Sequence, residues 1–157
     1  MIAFLTSSPA VGQDHTRLNP ANGLVSELEK VMPRPARGLF VCSDPDDFAF
    51  TDRFAGEMFA AFENAGFPVP LRSVLDHRNP EMAAELVKAA DLIILAGGPT
   101  LAQNRFFQEV RLREAMADFG GVVLGISAGT MNSAETVYVQ PELPGETRPE
   151  HPRFLPG

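Results

Sequence analysis

Val122-Val123-Leu124-Gly125-Ile126-Ser127-Ala128-Gly129-Thr130 decides the reading of this chain. An apolar run leads into a serine held between two glycines, and the residues after it can start a helix. The stretch reads as a strand-turn-helix nucleophile elbow, in which the serine sits on a sharp, strained turn that presents its hydroxyl. Gly125 and Gly129 leave room where a Cβ would press strand against helix. The same turn places the N–H of Ala128 at the start of the helix, where it and the helix dipole can stabilise an oxyanion formed at Ser127. Glycine-x-serine-x-glycine also occurs as an ordinary turn. Here the β-branched and leucine residues leading straight into it favour the elbow.

Working backwards, Asp91-Leu92-Ile93-Ile94-Leu95-Ala96 is an uninterrupted apolar run of the kind buried on both faces of a parallel sheet. It runs into Gly97-Gly98-Pro99-Thr100, and the spacing then predicts a helix from about Asn104 to Phe119, ended by Gly120-Gly121. Glu81 to Ala90 reads as another helix, after the loop Asp76-His77-Arg78-Asn79-Pro80. Val69 to Val74 reads as a strand, and the early Pro70 places it near a sheet edge. The segment from Thr51, a candidate cap, to Gly66 carries Phe54, Met58, Ala61, Phe62 and Ala65 on one helical face.

Met1 to Thr6 and Gly38 to Cys42 read as further strands, the second ending in the acidic turn Ser43-Asp44-Pro45-Asp46-Asp47. A helix from Asn22, its candidate cap, to Met32 stops at Pro33 and Pro35. The polar stretch through Gln13, Asp14, His15 and Arg17 to Pro20 reads as a surface loop. Strands alternating with helices through short turns argue for a doubly wound α/β fold, a mostly parallel sheet with helices on both faces, over residues 1–157 as one domain. Ligands of such folds bind beyond the carboxyl ends of the strands, where Asp44 to Asp47, Gly97-Gly98 and Ser127 are all expected.

A chain of 157 residues, 45% hydrophobic, can bury a substantial core. Its 20 acidic and 13 basic side chains give a formal net charge of -7, with no Lys/Arg cluster, so neither nucleic acid nor an anionic membrane is an expected partner. The single cysteine, Cys42, excludes an internal disulfide and a cysteine-based zinc site. The first residues lack the basic leader of a signal peptide and no apolar run is long enough to span a bilayer, so the expected location is the cytoplasm. No cofactor and no metal is expected; three acids in the Asp44 to Asp47 turn read as solvated.

In a parallel sheet the strand ending at Ala96 is a plausible neighbour of the one ending at Ile126. The N–H of Gly98 then converges with that of Ala128 as a second oxyanion donor, and Pro99 has no N–H to offer. On its own the glycine pair reads equally as a tight turn. A serine nucleophile needs a base, and there are three histidines, His15, His77 and His151. The first two stand in upstream loops. His151 follows the elbow but lies in Arg148-Pro149-Glu150-His151-Pro152, which reads as a loose tail.

Leu95-Ala96-Gly97-Gly98, Gln103-Asn104-Arg105-Phe106-Phe107, the elbow through Met131-Asn132-Ser133-Ala134, and Val137-Tyr138-Val139-Gln140-Pro141-Glu142 together resemble the peptidase E (aspartyl dipeptidase) and cyanophycinase family of serine peptidases. The resemblance covers most of the chain, from Phe40 onward in particular. It implies a class I glutamine amidotransferase-like fold with Ser127 as nucleophile and Gly98 and Ala128 as oxyanion-hole amides. Glu142 lies where some members carry an acidic residue. The family's histidine sits on a later strand in a Pro-His pair, whereas this sequence stops at Phe154-Leu155-Pro156-Gly157. The resemblance therefore implies a domain lacking its C-terminal part, an incomplete triad, and residual hydrolysis at best.

Three functions stand on these residues. One is a serine peptidase-like hydrolase of small peptides, with Arg105 or Arg72 supplying charge for an acidic substrate. The second is a catalytically silent module that binds a small molecule in the same pocket. The third makes Cys42 a redox or nucleophilic centre, although a free cysteine ending an apolar strand is usually a small buried hydrophobe. A shortened sheet would also leave apolar surface for a homodimer to cover.

Overall fold

The continuous apolar runs become the centre of a five-stranded parallel sheet in a computed structural model that describes residues 1–139 and 153–157. The chain begins with β1 (Ile2–Thr6), followed by a small antiparallel pair, β2 (Ala10–Val11) and β3 (Arg17–Leu18). Next come α1 (Leu24–Val31), β4 (Arg37–Val41), α2 (Phe48–Asn64), β5 (Leu71–Leu75) and α3 (Ala83–Ala89). β6 (Leu92–Leu95), α4 (Thr100–Glu109), α5 (Leu112–Ala115), β7 (Val122–Ile126) and the short α6 (Ala128–Asn132) complete the central unit. Last is an antiparallel pair, β8 (Thr136–Val139) with β9 (Arg153–Pro156).

The order across the sheet is β1-β7-β6-β4-β5, every pair parallel. The period of two along each strand divides the core between the two faces. Phe40, Leu92, Ile94, Val122, Leu124 and Ile126 pack with Leu28 of α1 and with Met58, Phe59 and Phe62 of α2. Leu39, Val41, Ile93, Leu95 and Val123 pack with Ala83 and Val87 of α3, Phe106 and Phe107 of α4 and Leu112 of α5. This is the doubly wound arrangement, with β5 at an edge as Pro70 foretold.

Four local expectations are corrected. The stretch read as a loop near His15 contains the β2–β3 pair, and Leu18 is buried against α2 and the first core cluster. Asn22 does not cap α1: it takes a left-handed φ of 57° inside a 3-10 turn, and Gly23 is the cap. Asp47, not Thr51, caps α2 by accepting the Phe50 N–H at 3.0 Å, while the buried Thr51 hydroxyl turns towards the Asp44 carbonyl. The single helix expected from Asn104 to Phe119 starts earlier, at Thr100, and is broken at Arg111. That residue's φ of 52° swings Leu112 into the second core cluster.

β4 is followed by a helix on one face of the sheet and β6, its neighbour, by a helix on the other. The crevice between their carboxyl ends is therefore the switch point where such sheets bind ligands. Gly98 and Ser43 stand at it, with Ser127 one strand further on.

Candidate active site

Ser127 follows β7 directly, with φ 46° and ψ −104°. A non-glycine residue rarely adopts this backbone, and it is held here from several sides. The Ser127 N–H donates to the Thr6 carbonyl of β1 at 2.8 Å, and the Ser127 carbonyl accepts the Met131 N–H at 3.0 Å. The Thr130 hydroxyl donates to that same Thr6 carbonyl at 2.8 Å and accepts the Thr6 N–H at 3.1 Å. The Thr6 hydroxyl in turn donates to the Gly125 carbonyl at 2.8 Å. A threonine from the first strand and one from the elbow helix thus clamp the turn.

The flanking glycines have the role their spacing implied. A Cβ on Gly129 would overlap the Leu95 carbonyl, and one on Gly125 would lie 2.9 Å from the Thr130 hydroxyl. The side chain at 127 is exposed while Ala128 is fully buried. Gly129 N–H is taken by the Ala96 carbonyl at 3.1 Å, whereas Ala128 N–H, at the first position of α6, has no intrahelical partner. α6 has only five residues, so its dipole is small, and the amide itself is the electrostatic resource.

Gly98 lies at the end of the neighbouring strand, since β6 pairs β7 with Leu95 opposite Gly125. Its φ of 147° favours glycine, and a Cβ there would run into the Ser43 side chain. The Ser43 hydroxyl is buried and has no hydrogen-bond partner among the described residues. Gly98 is exposed, as is Ser127, and the two stand at adjacent strand ends.

The described histidines are engaged elsewhere. His77 follows β5, separated from β7 by β6 and β4, which puts its strand about 14 Å from that of Ser127 at ordinary strand spacing. Its Nδ1 lies 2.8 Å from Asp46 and its Nε2 3.2 Å from Glu109, and its ring stands edge-on to Phe106. The hydrogen bond with Asp46, supported by Glu109, raises its pKa above the ordinary histidine value. His15 lies 3.7 Å from Glu57 of α2. His151 and Glu142 lie outside the described residues.

The remaining charges at this end are mostly paired. Arg78 joins Asp76 and Asp52, which raises its own pKa and lowers that of Asp52. Arg72 is removed from the list of substrate partners. It lies at the start of β5, the opposite end of the strands, and pairs with Glu63 while its Nε donates to the Val69 carbonyl. Arg105 is an exposed residue of α4. Cys42 is fully buried, and that burial, with the charges of Asp76 and Asp44, pushes its thiol pKa far up, which disfavours the thiolate a nucleophile needs. Among the described residues no group of three or more His, Cys, Asp or Glu side chains is placed to hold a metal ion. No described helix is long and apolar enough to cross a membrane.

Sequence reasoning missed a buried polar network behind the site. The Gln103 side-chain amide donates to the carbonyls of Ala96 at 2.7 Å and Cys42 at 3.2 Å, and accepts from Asn132 at 3.0 Å. Asn132 also donates to the Thr100 carbonyl at 3.1 Å, and Asn104 donates to Asn132 at 3.2 Å and to the Pro156 carbonyl at 2.8 Å. Its signal was a set of polar residues at helical spacing, Thr100, Gln103 and Asn104, beside the phenylalanines that face the core.

No protein-family model matches the chain, and no curated protein matches it. Among solved structures, the crystal structure of a peptidase from an acI-B1 Actinobacterium matches with a TM-score of 0.50 at 17% sequence identity, over 85% of this chain. The chain spans 57% of the length of that structure. At this identity the likeness is one of fold: the parallel α/β sheet described above is shared with that structure.

Proposed function

We propose that the protein is a serine-type, peptidase-like hydrolase of small peptides with Ser127 as nucleophile. The observation that carries this reading is the exposed serine held at φ 46° between a buried parallel strand and a helix start. Strain of this kind persists where the surroundings over-determine it, here through Thr6, Thr130 and Gly129. In the proposed reaction the Ser127 oxygen bonds to the substrate carbonyl carbon as its proton passes to a base, and the carbonyl oxygen takes the charge. Gly98 and Ala128 amides donate to that oxygen, each worth on the order of 10²–10³ in rate in other hydrolases. The base returns the proton to the leaving amine, and water then hydrolyses the acyl-enzyme. His151 is assigned as the base in this reading, since His77 stands three strands away from Ser127 with both ring nitrogens against carboxylates and His15 lies between β2 and β3, near Glu57 of α2. The peptidase E-like dipeptidase reading and a cytoplasmic location belong to the same proposal.

A second reading is favoured by the commitment of His15 and His77 to other groups. On that reading the fold is a pseudoenzyme that holds a small molecule at the switch point. Labelling with a fluorophosphonate probe separates the two. Labelling of the wild type that disappears in Ser127→Ala supports the hydrolase. A folded protein that takes no label overturns it in favour of the binding module.

A further inference from the structure

We propose that Gln103 is a positioning residue that fixes the Gly98 and Ala128 amides relative to each other, a role that rests on the reading of Ser127 as nucleophile. At the switch point the chains leaving β4 and β6 turn to opposite faces, and the last rung between them is the Ala96 N–H donating to Val41 at 3.0 Å. The next two carbonyls, Cys42 and Ala96, are left without a strand partner in a dry part of the protein. One planar amide serves both: Gln103 is 0% exposed and its Nε2 reaches Ala96 at 2.7 Å and Cys42 at 3.2 Å. Its Oε1 accepts from Asn132, the last residue of α6.

This single side chain therefore touches the residue before Ser43, the residue before Gly97, and the elbow helix. The Ala96 carbonyl is the node, because it also accepts the Gly129 N–H at 3.1 Å. Gly98 is two residues beyond Ala96, and Ala128 is the residue before Gly129, so the lever arms from the node to both amides are short. A methionine at 103 would match the volume of the glutamine but donate nothing, leaving the Cys42 carbonyl without its donor and the Ala96 carbonyl held by the Gly129 N–H alone. The network Gln103, Asn132, Asn104 and Thr100 contains no ionisable group, so the positioning holds across pH.

The test compares wild type, Gln103→Met and Leu28→Ala, the last a cavity in the core on the far face that controls for lost stability. For each, the fluorophosphonate inactivation is resolved into a maximal rate and a half-saturating concentration, and the Gly98 and Ala128 amide resonances are recorded by NMR. The expected result is about a tenfold or larger fall in maximal rate for Gln103→Met. The half-saturating concentration stays within about twofold, both amide resonances move, and Leu28→Ala changes neither rate nor resonances. An unchanged rate in Gln103→Met overturns the proposal while leaving the nucleophile reading intact. If the wild type takes no label, the nucleophile reading fails and the resonances decide the positioning: movement confined to Gln103→Met supports it, and no movement overturns it. Should Gln103→Met not fold, Asn132→Ala frees Gln103 from its anchor on α6 and is read in the same way.

Discussion

Replacing Ser127 with glycine is expected to stabilise the fold while destroying its nucleophile. The backbone at φ 46° and ψ −104° costs an L-residue about 1–3 kcal/mol, a cost that glycine does not bear. Against this stands the greater freedom of glycine in the unfolded chain, about 0.5–1 kcal/mol. The balance is a gain of up to about 2.5 kcal/mol, or up to about 10 °C in Tm for a chain of this size. Ser127→Ala is the required reference, because it keeps the Cβ and hence the strain. It removes only an exposed hydroxyl that makes no capping bond, so its stability should stay within about 0.5 kcal/mol of wild type. Urea unfolding of the three proteins, with equal m-values required, measures the differences. In an unstrained position the glycine variant would be less stable than the alanine variant by about 0.4–1 kcal/mol. That ordering would refute the assignment of strain to this residue, and with it the observation on which the proposed function rests.

Thr130→Val removes both bonds of the threonine clamp and leaves the Thr6 N–H without its acceptor. A loss of about 1–3 kcal/mol is expected by denaturant unfolding, and a loss below about 0.5 kcal/mol would show that the clamp is filled by water. His77 has a raised folded pKa through Asp46 and then Glu109, so its contribution to stability is fully present below the unfolded value of 6.5 and fades as pH rises through the folded value. The stability difference between wild type and His77→Gln should therefore be greatest on the acid side of neutrality, while both carboxylates remain ionised, and vanish on the alkaline side; a difference that grows with pH would contradict the pairing.

Much of the architecture was legible because burial on both faces leaves an unmistakable pattern. Leu92 to Leu95 and Val122 to Ile126 carry no polar alternation, which a half-exposed strand does not allow; the first leads into Gly97-Gly98, and the turn after the second is flanked by Gly125 and Gly129. The turn at Ser127 was legible for the same reason, as a small polar residue trapped between positions that exclude a Cβ. The break at Arg111 was not, since nothing in an arginine announces a left-handed φ; the burial of Leu112 decides it. The β2–β3 pair, two residues a side, is too short for any period to register. Thr6 was unreadable for a different reason. Its partner Thr130 lies 124 residues away, and a hydrogen bond of that span leaves no trace in local pattern.

The span between Thr6 and Thr130 has a consequence for the order in which the molecule assembles. β1 pairs with β7, at the other end of the central unit, so the elbow reaches its strained form only once these two strands have met. Contacts of such long sequence separation form late in folding, because the chain must first meet the entropy of closing the loop between them. A chain in which β1 and β7 have not yet met therefore carries Ser127 in relaxed backbone, and the reactive geometry arises with that long-range pairing rather than as a property of the local turn.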